Sequence, residues 1–251
     1  MASDFASNSQ LEHQFDRLGE LRERKTCREC GKKRLYFCYD CRIYMDGIAG
    51  LVPEEIELPI ELVIIKHPAE KAAKSTAIHC QLAAPCSTKF YDFPAPEIPQ
   101  FDAADTAIIF PSQSALPIDQ FLEQRPALRR LIVLDSTWNA VGQLRNMPQL
   151  RKLPCVALKK YTTEYWRPQK NYNDECLATI EAIYYAVREV QTAKQPEVQY
   201  DGRFEPLLFW FRFFKREFVD KSEGVKRIPG NNGRGRYKNE TKNGQREVLE
   251  A

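Results

Sequence analysis

The chain has 251 residues, 43% hydrophobic and 28% charged, with a formal net charge of +3. That length holds one full α/β domain with appendages, and the near-neutral balance excludes a whole-chain polycation. No apolar run reaches the roughly 18 residues that a membrane helix needs. The first twenty residues lack the basic and apolar regions of a secretory leader, so the eight cysteines are expected inside a cell as reduced thiols or metal ligands.

Residues 1–24 are polar, with an amphipathic helix expected from about Ser9. Residues 25–45 carry a cysteine cluster, "CRECGKKRLYFCYDC", in which Cys27, Cys30, Cys38 and Cys41 form two C-x2-C pairs seven residues apart. Each pair can reach one ion from a tight turn, and Gly31 suits such a turn. Four thiolates around Zn²⁺ make a closed tetrahedral site with no open position, so a structural zinc knuckle is expected; four reduced cysteines, or a redox pair, is the plainer alternative. Arg28, Lys32, Lys33 and Arg34 sit at the tips of the cluster. They read as a solvated face or as a nucleic-acid contact, the latter favoured because the segment is cationic and rigid. Cys80, Cys86, Cys155 and Cys176 show no ligand spacing.

Beyond the cluster, "IELVIIK" at 60–66 reads as a buried strand followed by His67 and Pro68. "CSTKFYDFP" is a possible short strand. "TAIIF" at 106–110 ends in Pro111 and Ser112. Residues 130–134 form a strand that ends in Asp135-Ser136-Thr137-Trp138, and "PCVALK" at 154–159 is another strand candidate. Residues 173–193 carry apolar side chains at helical spacing, with Asn173 or Asp174 expected as N-cap. Residues 202–218 form a second helix, apolar all round at 207–211 and therefore expected to be buried on more than one side. From 221 onward eight basic and four acidic residues and no apolar periodicity predict a basic, disordered tail.

Strands alternating with helices argue for an α/β domain with a largely parallel sheet. In a parallel sheet the polar clusters behind three strands lie on one edge, where ligands of open α/β folds bind. Capping of the next helix explains any one of them; a shared cleft explains the set.

These residues together resemble the DTW-domain family. The stretches that carry the resemblance, in order, are the two C-x2-C pairs, "HPAEKAAKST" at 67–76, "FPS" at 110–112, the D-x-T-W of Asp135, Thr137 and Trp138, Tyr165 with Arg167 in "EYWRPQK", and "ATIEA" at 178–182. They span about residues 25–218. The resemblance implies a SPOUT-like fold, a largely parallel sheet with a C-terminal trefoil knot, behind an N-terminal four-cysteine zinc knuckle. The implied units are a polar extension (1–24), the knuckle (25–45), the transferase domain (46–220) and the tail (221–251). The implied reaction moves the 3-amino-3-carboxypropyl group of S-adenosylmethionine to N3 of a tRNA uridine, in the D-loop, releasing methylthioadenosine.

For that reaction Asp135 is the first candidate to take the N3 proton; the alternatives are a helix cap or an anchor for the cofactor's amine. Ser112 beside Pro111, and Thr137, are hydroxyl candidates for the cofactor, and Trp138 for stacking. Thr179 and Glu181 of "ATIEA" are implied in cofactor binding or in shaping the site. His67, Pro68, Glu70, Ser75 and Thr76 are implied as site residues by their motif. Lys74, Arg145, Tyr165 and Arg167 join Lys32, Lys33 and Arg34 as candidate RNA contacts. Arg145 is the charge kept in a segment after Trp138 that is more basic in many family members. A methyltransferase on the same fold, or a zinc-dependent RNA-binding protein without activity, are the alternative functions. The basic runs favour a nuclear over a cytoplasmic location.

Overall fold

The computed structural model describes residues 9–137, 140–167 and 174–219, together with three strand backbones beyond them. In chain order these are α1 (Ser9–Gly19), then four two-residue strands of the cysteine cluster, β1 (Lys25–Thr26), β2 (Lys33–Arg34), β3 (Phe37–Cys38) and β4 (Ile43–Tyr44). There follow β5 (Glu61–Lys66), α2 (Ile78–Ala83), β6 (Thr88–Asp92), β7 (Thr106–Ile109), β8 (Leu116–Pro117), α3 (Ile118–Gln124), β9 (Arg130–Asp135), α4 (Val141–Arg145), β10 (Cys155–Ala157), α5 (Thr179–Lys194) and α6 (Phe209–Val219).

Six strands form one sheet in the order β6-β5-β9-β7-β10-β8, and every pairing in it is parallel. Both faces are covered, as such sheets require, and alternation along each strand shows it. Leu62 and Ile64 of β5 with Leu131 and Val133 of β9 face α2, α3 and α5. Val63, Ile65, Ile108 and Ile132 face the opposite layer, built from Leu144, Met147, Leu150 and Leu153. Among the described residues no helix is long and apolar enough to cross a membrane.

A third apolar cluster joins the cysteine segment to the domain. Phe37 meets Trp210 edge-on, Tyr36 packs on Phe213, and Phe15 of α1 packs on Phe209 and Phe213. Residues 207–211 are all buried, as their all-round apolar character predicts, because α6 lies between the sheet's outer layer and the cysteine segment. A 3₁₀ turn, Glu205–Leu208, leads into α6.

Three expectations about elements are corrected. The helix expected from 202 starts at Phe209, because residues 205–208, with Pro206 among them, form the 3₁₀ turn. Helix α5 starts at Thr179, not at 173 or 174; Asn173 lies outside the described residues and Asp174 is in a turn. The start is set by one local and one distant partner: Glu181, three residues on, accepts from the Ala178 N–H at 2.7 Å, and Thr76 accepts from the Ile180 N–H at 3.2 Å. The tail, expected to lack regular structure, contains β11 (Val225–Ile228), β12 (Arg236–Glu240) and β13 (Arg246–Leu249) as an antiparallel sheet. Asn-Gly pairs at 232–233 and 243–244 are hairpin signals that the charge count had outweighed.

Candidate functional site

The carboxyl ends of β5, β9 and β7 lie side by side on one edge of the sheet, as the parallel pairing dictates. Lys66 stands opposite Asp135, and the His67 N–H donates to the Asp135 carbonyl at 2.9 Å. The clusters after these three strands therefore converge.

Asp135 is the hub. Its side chain is 1% exposed. Ser75 donates to Oδ2 at 2.7 Å and Thr179 to Oδ1 at 2.9 Å. Burial pushes its pKa up, opposed by these two hydroxyls and by Lys66. No hydroxyl or carboxylate of 135–137 caps α4; that helix starts from the Thr137 carbonyl, which accepts from the Ala140 and Val141 N–H groups. Asp135 thus joins the 67–76 segment, β9 and the start of α5. Each of its oxygens already accepts one hydrogen bond from a protein hydroxyl.

Glu181 repeats the pattern at 4% exposure. Thr163 donates to Oε2 at 2.6 Å and the Glu164 N–H to Oε1 at 2.7 Å, beside the Ala178 bond. Burial raises its pKa. It pins residues 163–164 to the start of α5. His67, 7% exposed, accepts from the Ala69 N–H at Nδ1, shares a 2.9 Å hydrogen bond between Nε2 and Gln143, and stacks on Phe93. Thr163 and Gln143 went unrecognised in the sequence. Each matters only through a partner far along the chain, so no local pattern marks them.

Other predicted residues stay open to a ligand. Pro111, Ser112 and Thr137 are exposed at the ends of β7 and β9, and Pro68 is exposed after β5. The Glu70 carboxylate is half-buried and accepts no hydrogen bond among the described residues. Burial and the Asp135 charge raise its pKa, while Lys66, Lys74 and Arg167 oppose the rise. Trp138 lies outside the described residues.

Lys74, Tyr165 and Arg167 meet in one pocket of about 160 Å³, where Ser75 and Thr76 line one side and Phe37 and Tyr39 of the cysteine segment line another. The Arg167 guanidinium lies 5.7 Å from the Trp166 ring and 5.6 Å from that of Phe218. Arg145 is elsewhere: its guanidinium donates to the Leu150 carbonyl at 2.9 Å and reaches that of Leu153 at 3.4 Å, which braces the 146–153 turn. Lys32 and Arg34 converge on Asp40 at 3.2 and 2.8 Å, which neutralises part of the expected basic tip. Lys33 is exposed and has no ion pair among the described residues.

The sulfurs of Cys27, Cys30, Cys38 and Cys41 lie within 4.8 Å of one another. Gly31, at φ 70°, turns the first pair, where its N–H bonds the Cys27 carbonyl; Arg42, at φ 58°, does the same behind Cys38. Tetrahedral zinc at about 2.3 Å from each sulfur spaces them by about 3.8 Å, so the four side chains fit such an ion with small rotations. The other four cysteines belong to no such group among the described residues.

The family model for the DTW domain matches residues 35–219. The chain is similar to tRNA-uridine aminocarboxypropyltransferase 1 of Mus musculus, with 32% identity over 77% of this chain and 76% of that protein. It is similar to the Homo sapiens protein of the same name, at 31% identity over 76% and 75%. A solved structure, the SAM-dependent rRNA:acp-transferase Tsr3 from Vulcanisaeta distributa, overlaps 62% of this chain and 82% of its own at 17% identity with a TM-score of 0.36, a level of local likeness only. The matched span contains every motif that converges on the sheet edge, from "HPAEKAAKST" to "ATIEA": the chain belongs to the DTW-domain family.

Proposed function

We propose that the chain transfers the 3-amino-3-carboxypropyl group of S-adenosylmethionine to N3 of a tRNA uridine in the D-loop. The names of its relatives, tRNA-uridine aminocarboxypropyltransferase 1, support the substrate class. The observation that carries the reading is the hub: one buried carboxylate, Asp135, ties the 67–76 segment to α5 at the edge where ligands of parallel sheets bind. A structure with no ligand to position has little reason to bury a carboxylate there.

The exposed hydroxyls of Ser112 and Thr137 at adjacent strand ends fit the ribose and amino-acid groups of S-adenosylmethionine, which would be held by these residues and by Pro111. When bound, it supplies the aminocarboxypropyl carbon that N3 takes, and it leaves as methylthioadenosine. The chain must orient this carbon toward N3 and turn the methyl away, so most of its effect is positioning. Asp135 acts here as a positioning residue that fixes Ser75 and Thr179. Glu70 takes the N3 proton, because its carboxylate is half-buried beside the hub and is free of hydrogen bonds among the described residues.

Zinc on Cys27, Cys30, Cys38 and Cys41 holds the knuckle against α6, a structural role with no open coordination position. For the fold, a SPOUT-like trefoil knot belongs to this reading; the strand order supports its parallel sheet, with β9 between β5 and β7. The basic residues at 32–34 and in the tail support a nuclear site of action, which imaging of the tagged chain tests. Mass spectrometry of nucleosides from tRNA incubated with the protein and S-adenosylmethionine tests the reaction. Aminocarboxypropyluridine with methylthioadenosine is expected; methyluridine with S-adenosylhomocysteine overturns the assignment in favour of methyl transfer, and unmodified tRNA in favour of a binding protein.

A further inference from the structure

We infer that the pocket between the knuckle and the 73–76 and 165–167 segments takes one nucleotide of the RNA, with its base against aromatic side chains and its phosphate on Lys74 and Arg167. This rests on the reading of the chain as a tRNA-modifying enzyme and assigns where an unpaired nucleotide sits.

Among the described residues, two cations and six aromatic rings line the pocket and no carboxylate does. Basic side chains interleaved with aromatic faces are the means by which proteins hold single-stranded nucleic acid. Lys74 is exposed and has no ion pair among the described residues. Phe218 lines the pocket and is 54% exposed, so its ring is open to stacking. Arg167 lies over that ring and so presents a flat, charged surface at the same place.

The wall also holds a buried polar group without a partner. His79 is 4% exposed and its Nδ1 has no hydrogen bond among the described residues. Burial lowers its pKa to about 3, so the ring in this wall is neutral and adds no charge to the pocket.

The larger groove beside the knuckle, about 700 Å³, makes a useful contrast. It mixes Arg28 and Arg42 with Asp46 and Glu55, and Arg42 is already paired with Asp92. A polyanion finds no matching charge there. The smaller pocket also shares Ser75 with the Asp135 hub, so a nucleotide bound in it lies next to the reacting edge. By this inference the knuckle is a wall of the substrate site, through Phe37 and Tyr39.

The test uses the full chain with Lys74→Gln and, separately, Phe218→Ala. Both positions are exposed, and circular dichroism checks that each variant folds. Unmodified tRNA is titrated by fluorescence anisotropy across a salt series, and S-adenosylmethionine by calorimetry. Lys74→Gln is expected to weaken tRNA binding and to lower the slope of log K against log salt by about 0.7–0.9, the loss of one phosphate contact. Phe218→Ala is expected to weaken it by roughly fivefold to a hundredfold, the range for one stacked base. S-adenosylmethionine affinity stays as in the wild type. If both variants bind tRNA normally while the wild type still forms aminocarboxypropyluridine, the pocket assignment falls and the enzymatic reading stands. If instead S-adenosylmethionine affinity drops and tRNA affinity does not, the pocket belongs to the cofactor's carboxylate and the inference is overturned. A wild-type chain that binds no tRNA overturns both.

Discussion

Replacing Thr179 with valine keeps the side chain's volume and its β-branch, and deletes the hydroxyl that donates to Asp135 at 2.9 Å. The carboxylate is 1% exposed, so water cannot take the lost place. A hydrogen bond to an ionised group contributes about 1.5–3 kcal/mol, and one between neutral groups about 1 kcal/mol. Thr179→Val is therefore expected to cost about 1.5–3 kcal/mol where Asp135 is ionised, a sizeable part of a domain's roughly 5–15 kcal/mol. The cost depends on pH in a definite direction. Burial raises the folded pKa of Asp135 above its ordinary value, so its contribution to stability is present below the ordinary carboxylate range and is lost as pH rises through the folded value. The Thr179 hydroxyl opposes that rise; without it the folded value climbs and the loss extends to higher pH. Urea unfolding followed by circular dichroism between pH 5 and 8 should show the largest gap between wild type and variant at the alkaline end. A gap below about 0.5 kcal/mol throughout, or one that widens as pH falls, would refute the role assigned to the hub.

Glu70→Gln should lower transfer by roughly 10²–10⁴-fold, the usual range for a lost acid–base group, with S-adenosylmethionine affinity unchanged by calorimetry. In the wild type, transfer should rise with pH through a value above the ordinary glutamate range, since burial and Asp135 raise the Glu70 pKa; a profile that Glu70→Gln leaves in place assigns the proton elsewhere. Metal analysis should find about one zinc per chain, and chelation should shift the fluorescence of Trp210, which packs on Phe37 and Tyr36; a zinc-free, stable protein removes the metal. Arg145→Ala should destabilise the fold by about 1–3 kcal/mol in urea melts and leave tRNA affinity intact, whereas a matching loss of affinity would restore it as an RNA contact.

The sheet was legible from sequence because its strands are apolar runs ended by polar clusters; 60–66, 106–110 and 130–134 each became a strand within a residue or two. The convergence of the clusters followed from parallel pairing alone. The partners inside the cluster did not. Nothing near Asp135 marks Ser75 and Thr179 as its donors, since they are 60 and 44 residues away. Glu181 on an otherwise apolar helix face looks solvent-exposed by itself, and is buried because 163–164 folds over it. The start of α5 was missed for the same reason: Thr76 serves its N-terminus from 104 residues away. Arg145 kept its charge in the sequence, but its neighbours supply carbonyls rather than solvent. Helices α2 and α4, six and five residues long, are too short for periodicity to show.

The distant hydroxyls around Asp135 also bear on how the chain is made. When a ribosome has released the chain through β9, Ser75 is available to the carboxylate and Thr179 is not, and Thr76 has no Ile180 N–H to receive. The central strand then has a charge to bury and half of its partners. At about 5–20 residues per second, the 59 residues from Asp135 to the end of α5 at Lys194 take roughly 3–12 s to follow. During that interval the apolar faces of β5 and β9 lack the helix that covers them, and pairings of this sequence separation form slowly in any case. Nascent chains stalled before residue 179 should therefore recruit holdase chaperones, and those stalled beyond the exit of α6 should release them.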